Sequence, residues 1–141
     1  MIDGMLGSTN LPALERSLQY MAARQKLLAG NIANIETPGY RPTDVAPAAF
    51  QQALRDALDQ DRVDKKGGLA FDESAPVTFN ESGTELKPQV LAENIMFHDG
   101  NDRSVERLMQ KMQENVYSFR LASQLLRNQF DLINTAIRER M

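Results

Sequence analysis

From Leu11 the apolar residues recur as Leu11, Leu14, Leu18, Met21, Leu28, Ile32 and Ile35, at spacings of three and four broken once by Gln25. That is the narrow a/d seam of a helix packing on another helix. Pro12 suits a first helical turn, where its missing N–H costs nothing, and Asn10 before it can serve as N-cap. The pattern predicts a helix over about 11–34, about 36 Å long at 1.5 Å per residue. A second stripe runs Val105, Leu108, Met109, Met112, Val116, Phe119, Ala122, Leu126, Phe130, Ile133 and Ile137. It fills a, d and e positions, so its helix is expected to contact more than one neighbour. Ser104 is its N-cap candidate, although Arg107 stands where a capping box would place Glu or Gln.

Between the two helices the period fades. Residues 48–58 predict a short helix, and residues 59–94 predict loops with one or two short strands, around Ala75–Phe79 and Glu85–Val90. The expected fold is therefore mainly α. Long N- and C-terminal helices pack as a coiled coil around an irregular middle that contains a short helix and one or two short strands. Three segments follow: 1–40, a helix and its terminating turn; 41–102, an acidic irregular middle; and 103–141, the C-terminal helix. Segments 1–40 and 103–141 are expected to form one helical assembly domain.

The turn at "NIANIETPGY", residues 31–40, is the most specific local signal. Pro38-Gly39 suits the two central positions of a type II turn, since Pro presets φ and Gly accepts φ > 0. Thr37, preceding Pro, is pushed out of helical space. Asn34 can cap the helix C-terminus or bond the loop backbone, and Asn31, one turn earlier, can reach the same region. Tyr40 lands the chain on an apolar surface with its hydroxyl available to bond.

Charge and composition narrow the functional classes. The 141 residues carry a net charge of −3, distributed as 0 over residues 1–40, −6 over 41–102 and +3 over 103–141. The basic excess at the C-terminus is too dilute for a nucleic-acid face. With no cysteine, disulfide and thiolate chemistry are excluded, and one histidine without cysteine offers no zinc site. His98 beside Asp99 lacks a nucleophile elbow, so it reads as a turn residue rather than a catalytic one. Asp99-Gly100-Asn101-Asp102 fails the calcium-loop spacing, because Arg103 occupies a ligand position. No stretch approaches the ~18 apolar residues of a membrane span. Met1–Met5 shows neither the basic nor the apolar region of a cleaved secretory signal.

The stripes alone are equally consistent with the closed core of a two-helix hairpin. The small-residue strip Ala22, Ala23, Ala29, Gly30 and Ala33, with the breadth of the second stripe, offers more packing surface than one partner helix covers. Exposed apolar seams of that kind argue for assembly.

The string Asn31-Ile32-Ala33-Asn34-Ile35-Glu36-Thr37-Pro38-Gly39-Tyr40 resembles the N-terminal signature of the bacterial flagellar axial proteins, the rod, hook and hook-associated subunits. The lead-in Arg24-Gln25-Lys26-Leu27-Leu28-Ala29-Gly30 is similar to that family's pattern too. Within the family, the chain's length and the strings Phe97–Asn101, Gln113-Glu114-Asn115 and Gln124-Leu125-Leu126 resemble the proximal class of basal-body rod protein. Asn101–Val105 departs from the usual pattern there. The resemblance covers about 10–45 and 95–138.

It implies a structural subunit rather than an enzyme, without cofactor or metal. Such a subunit assembles through its terminal helices, transmits torque and helps wall the export channel. The implied seam is Leu11, Leu14, Leu18, Met21, Leu28 and Ile32 with Val105, Leu108, Met112, Phe119, Leu126, Phe130, Ile133 and Ile137. Implied partners are copies of itself, other rod proteins, the junction protein and inner-membrane ring at the rod base, and the flagellar type III export apparatus. No nucleic acid and no direct membrane insertion are expected. The implied location is the rod in the periplasm, reached without a cleaved signal. The competing reading is a free-standing helical-hairpin binding module or secretion adaptor.

Overall fold

The computed structural model describes residues 10–64, 68–80, 83–91 and 105–139. Helix α1 spans Asn10–Ala33 and helix α3 spans Val105–Arg138. Between them lie strand β1, Thr43–Asp44, helix α2, Pro47–Asp64, and strands β2, Val77–Asn80, β3, Gly83–Leu86, and β4, Gln89–Val90. The molecule is mainly helical, and its long terminal helices pack together beside a short strand-bearing middle, as expected.

Two small sheets tie the middle to α1. β2 and β3 form an antiparallel hairpin, with Val77 opposite Leu86 and Phe79 opposite Thr84. β1 pairs antiparallel with β4, Thr43 opposite Val90. β1, absent from the sequence-based expectation, is only two residues long, and its register is held by side chains of α1 rather than by its own composition. The predicted helix over 48–58 is in fact 18 residues long. Pro47 starts it with a pre-set φ. Gln52 donates to Asp56 and Arg62 bridges Asp59, so four-apart and three-apart pairs carry it through the charged stretch.

The buried apolar cluster is not the α1–α3 seam. It comprises Tyr20 of α1, Val45, Phe50 of α2 and Val77 of β2, flanked by Met21, Leu54, Phe71, Phe79 and Leu86. The Tyr20 and Phe50 rings stack at 4.0 Å with a 6° interplanar angle. Arg16 lies over the Phe79 ring, 4.7 Å from its centroid. The segments therefore share one core, and the middle is packed onto α1 rather than set apart from it.

Beneath that core, two charges are buried together. Arg24 Nε donates to Asp44 Oδ1 at 2.8 Å and Nη2 to Oδ2 at 2.7 Å, a bidentate pair. Their side chains are 6% and 4% exposed. Burial alone would lower the Arg24 pKa, but the hydrogen bond and charge of Asp44, helped by Tyr20 and Glu114, hold it above the ordinary guanidinium value. Lys111 of α3 adds a second cation 3.8 Å from Asp44 Oδ2. Asp44 Oδ1 also accepts the Val45 N–H, and the Tyr20 hydroxyl donates to the Val45 carbonyl at 2.7 Å.

α3 runs antiparallel to α1. Lys111 lies against Asp44, the partner of Arg24, and the residue one turn further along α3 contacts α1 closer to its N-terminus. Asn115 then meets α1 halfway down, where its Nδ2 donates to the Met21 carbonyl at 2.9 Å and to Gln25 Oε1 at 2.8 Å. Gln25, the interruption in the seam, is thus a polar pin between the helices. A buried asparagine paired with a half-buried glutamine fixes register at some expense of stability.

Two outcomes test this core. Asp44→Ala strands Arg24 in a dry site and should cost about 3–5 kcal/mol in chemical denaturation, while Arg24→Met with Asp44→Leu should cost far less. Equal losses in both would show that the ion pair is not what the site requires. Burial pushes the Tyr20 phenol from 10.0 up to about 12, with Asp44 adding to the rise and Arg24 opposing it. A raised folded-state value means the stabilisation is complete below pH 10 and lost as pH climbs through 12. Stability should fall across that window in the wild type, and Tyr20→Phe should flatten the fall.

Candidate assembly interface

The turn after α1 is built from the quoted motif. Tyr40 N–H donates to the Thr37 carbonyl at 3.1 Å and Gly39 sits at φ 77°, so Thr37–Tyr40 is the type II turn. Asn34 bonds backward, its Nδ2 donating to the Gly30 carbonyl at 2.8 Å, which closes the helix end. Asn31 reaches forward. Its Nδ2 donates to the Thr43 carbonyl at 2.6 Å, while its Oδ1 accepts the Thr43 N–H at 3.3 Å and the Tyr40 hydroxyl at 2.8 Å. The carboxamide pairs with both backbone groups of Thr43 as a neighbouring strand would. Asn31 is fully buried, so these bonds satisfy a group whose isolation would be costly. Thr37, Pro38 and Gly39 are exposed, as is Ala33. The motif thus has an inward half that clasps β1 and an outward half that faces solvent.

The expected seam residues divide in the same way. Leu28 and Leu108 are buried, and Leu14, Leu18, Met21, Ile32, Val105, Met112, Leu126 and Ile133 are half-buried. Leu11 is half-buried, while Phe119, Phe130 and Ile137 are exposed, the last two at 48% and 58%. The structure does not bring these three into a closed seam within one chain: Phe130 and Ile137 lie where α3 outruns α1, and Phe119, alongside α1, is 39% exposed. Twenty-three residues of α3 follow Asn115, whereas eleven residues of α1 precede Met21. The C-terminal part of α3 therefore projects about 18 Å past the start of α1, at 1.5 Å per residue.

The deepest face of α1 is Tyr20, Arg24, Leu28 and Asn31. Two of these are polar and were not read as core from the apolar spacing. Their period of about four residues was the available signal, since an Arg, an Asn and a Tyr on one helical stripe mark a buried polar network when a partner is supplied from elsewhere. A second missed feature lies on α3. Tyr117, Leu121, Leu125 and Leu132 are 46–65% exposed. Their spacing of four, four and seven places them on one flank, next to the seam.

An open groove of about 460 Å³ beside Asp44 is lined by Arg24, Lys87, Lys111 and Glu114 among others. Arg24 and Asp44 are spent on each other there, and Lys87 is tied to the Glu73 carbonyl. Among the described residues no three His, Cys, Asp or Glu side chains gather as metal ligands, and no helix is long and apolar enough to cross a membrane. His98, Ser104 and the strings 97–101 and 99–102 lie outside the described residues. The arrangement presents helix faces, not converging reactive groups.

The chain gives no match when compared with protein families or with characterised proteins.

The turn makes a discriminating test possible. A Cβ at Gly39 would meet nothing within 4 Å, so any penalty there is conformational. Gly39→Val should destabilise the purified protein by on the order of 1–2 kcal/mol, and Gly39→Asn, which tolerates left-handed backbone, by clearly less. Equal effects in thermal denaturation would remove the type II turn as the explanation.

Proposed function

We propose that this protein is a structural subunit of the bacterial flagellar basal-body rod, of the proximal class, and not an enzyme. The motif Asn31–Tyr40 supports this reading through its resemblance to the flagellar axial proteins. The observation that carries it is physical: α3 projects past α1 and exposes Phe130, Leu132 and Ile137 on the stretch that α1 does not reach. Large apolar side chains left exposed on a projecting helix end support an interaction role for it. Terminal helices that are partly satisfied within the chain and partly open suit a subunit that is stable enough to persist yet gains its remaining burial on joining an assembly.

In this reading the subunit packs against copies of itself and other rod proteins, and at the rod base against the junction protein and inner-membrane ring. It transmits torque and contributes to the channel wall. It reaches the periplasm through the flagellar type III export apparatus. The competing reading, a free-standing binding module or secretion adaptor, is favoured by the intrachain core of Tyr20, Val45, Phe50 and Val77, which a self-contained hairpin would also need.

Incorporation separates the two. Leu126→Asp and Phe130→Asp should leave the helix content of the purified chain intact, because Phe130 is already exposed and Leu126 half-buried. In the source bacterium, each should abolish swimming and remove the protein from purified basal bodies. Wild-type amounts in the basal bodies, or swimming unaffected by deletion of the gene, would overturn the rod assignment.

A further inference from the structure

The face of α3 turned toward α1 does not stop where α1 stops. Leu108, Met112, Asn115, Phe119, Ala122 and Leu126 follow one another at four, three, four, three and four residues. Phe130, Ile133 and Ile137 continue the same row at four, three and four. Phe130 and Ile137 are exposed and Ile133 half-buried.

The register of the two helices fixes what comes level with that end. Starting from the Met21–Asn115 pin, seven residues in opposite directions pair Leu28 with Leu108, both buried. Seven residues the other way pair half-buried Leu14 with buried Ala122. Seven more bring Gln129 level with position 7, three residues before α1 begins at Asn10. The chain that enters α1, residues 1–9, lies outside the described residues and is delivered to the seam at this point. It is apolar at Met1, Ile2, Met5 and Leu6, and Asp3 is its one acidic or basic side chain. Gly4 and Gly7 disfavour a longer α1, and Asn10 suits a cap that ends it there.

Length permits the contact. Nine residues reach about 13 Å as helix and about 30 Å extended, while Leu126 to Ile137 covers about 16 Å of α3. A tethered occupant also acts at an effective concentration of the order of mM, which a separate molecule has to exceed. We infer that Ile2, Met5 and Leu6 strap across Phe130, Ile133 and Ile137 of their own chain and cover the end of the seam in the free protein. The row Leu121, Leu125 and Leu132, on the other side of α3, stays open beside it. The strap goes beyond the rod reading, in which an incoming neighbour would compete for the same three side chains.

The chain has no cysteine, so introduced thiols are the only ones present. The double variant Asp3→Cys/Asn134→Cys places the second thiol beside the seam, and Asp3→Cys/Thr135→Cys places it on the opposite side of α3 at the same height. Each would be treated at high dilution with a short bismaleimide, as an equal mixture of heavy-isotope-labelled and unlabelled chain, then digested with trypsin. The link between the peptides carrying positions 3 and 134 should form about fivefold more than its position-135 counterpart, and only between peptides of like label. Equal yields, no link, or links between unlike labels, which a second copy would give, each overturn the strap. Hydrogen exchange on the full chain is the second arm. Ile2→Ser/Met5→Ser/Leu6→Ser should speed exchange across 128–138 about tenfold and leave 108–122 unchanged. Unaltered exchange across 128–138 also overturns it. If the link is absent while Phe130→Asp still removes the protein from basal bodies, the strap is wrong and the rod assignment stands. If the link forms while deletion of the gene leaves swimming unaffected, the strap stands and the rod assignment falls.

Discussion

The Arg24–Asp44 pair is the constraint around which the chain is arranged. Two full charges out of water are tolerable only if each is matched, and the match is bidentate, with Oδ1 also taking the Val45 N–H. Meeting that requirement pins β1 against α1. Once β1 is there, Val45 lies under Tyr20, Phe50 stacks on the Tyr20 ring, and Val77 closes the cluster from the hairpin. Lys111 draws α3 to the same carboxylate, and Asn115, one turn further on, locks onto Met21 and Gln25. The polar groups decide where each element sits, and the apolar ones supply the energy once it is there.

How much of this was legible follows from what kind of order each residue obeys. The terminal helices and the turn were readable because their rules are local: a three-four apolar period, and a Pro-Gly pair whose backbone preferences admit one turn type. α2 was found but shortened, since its last residues are held by charge pairs rather than by an apolar stripe. β1 and the polar stripe of α1 were not readable. Nothing in Thr43-Asp44 marks a strand, and Arg24 is a core residue only because an aspartate twenty positions away comes to meet it. Burial of a polar side chain is a property of a pair, and a single-position pattern does not contain it. The outer row of α3 was hidden differently, by lying next to a stronger stripe that absorbed the attention of the period.

Read as an assembly component, the molecule divides its two long helices by depth. The faces turned toward the middle segment are polar-pinned and buried, and they set the shape of the single chain. On α3 the outer flank exposes Leu121, Leu125 and Leu132, and the projecting end exposes Phe130 and Ile137, while α1 exposes Ala22, Ala29 and Ala33. The buried faces thus fix the geometry of the single chain, while other helical faces stay open to solvent.

The clasp made by Asn31 also bears on the order in which the chain comes together. It joins residues twelve apart, and the Arg24–Asp44 and Tyr20–Val45 links join residues twenty and twenty-five apart, whereas the Asn115–Met21 pin spans ninety-four. Loop closure grows as the logarithm of length, so bringing Asn115 home costs about 2 kcal/mol more chain entropy than closing the clasp. By chain entropy alone, the links of the α1–turn–β1 unit are the cheapest to close, and the docking of α3 is the contact that has to repay the longest closure.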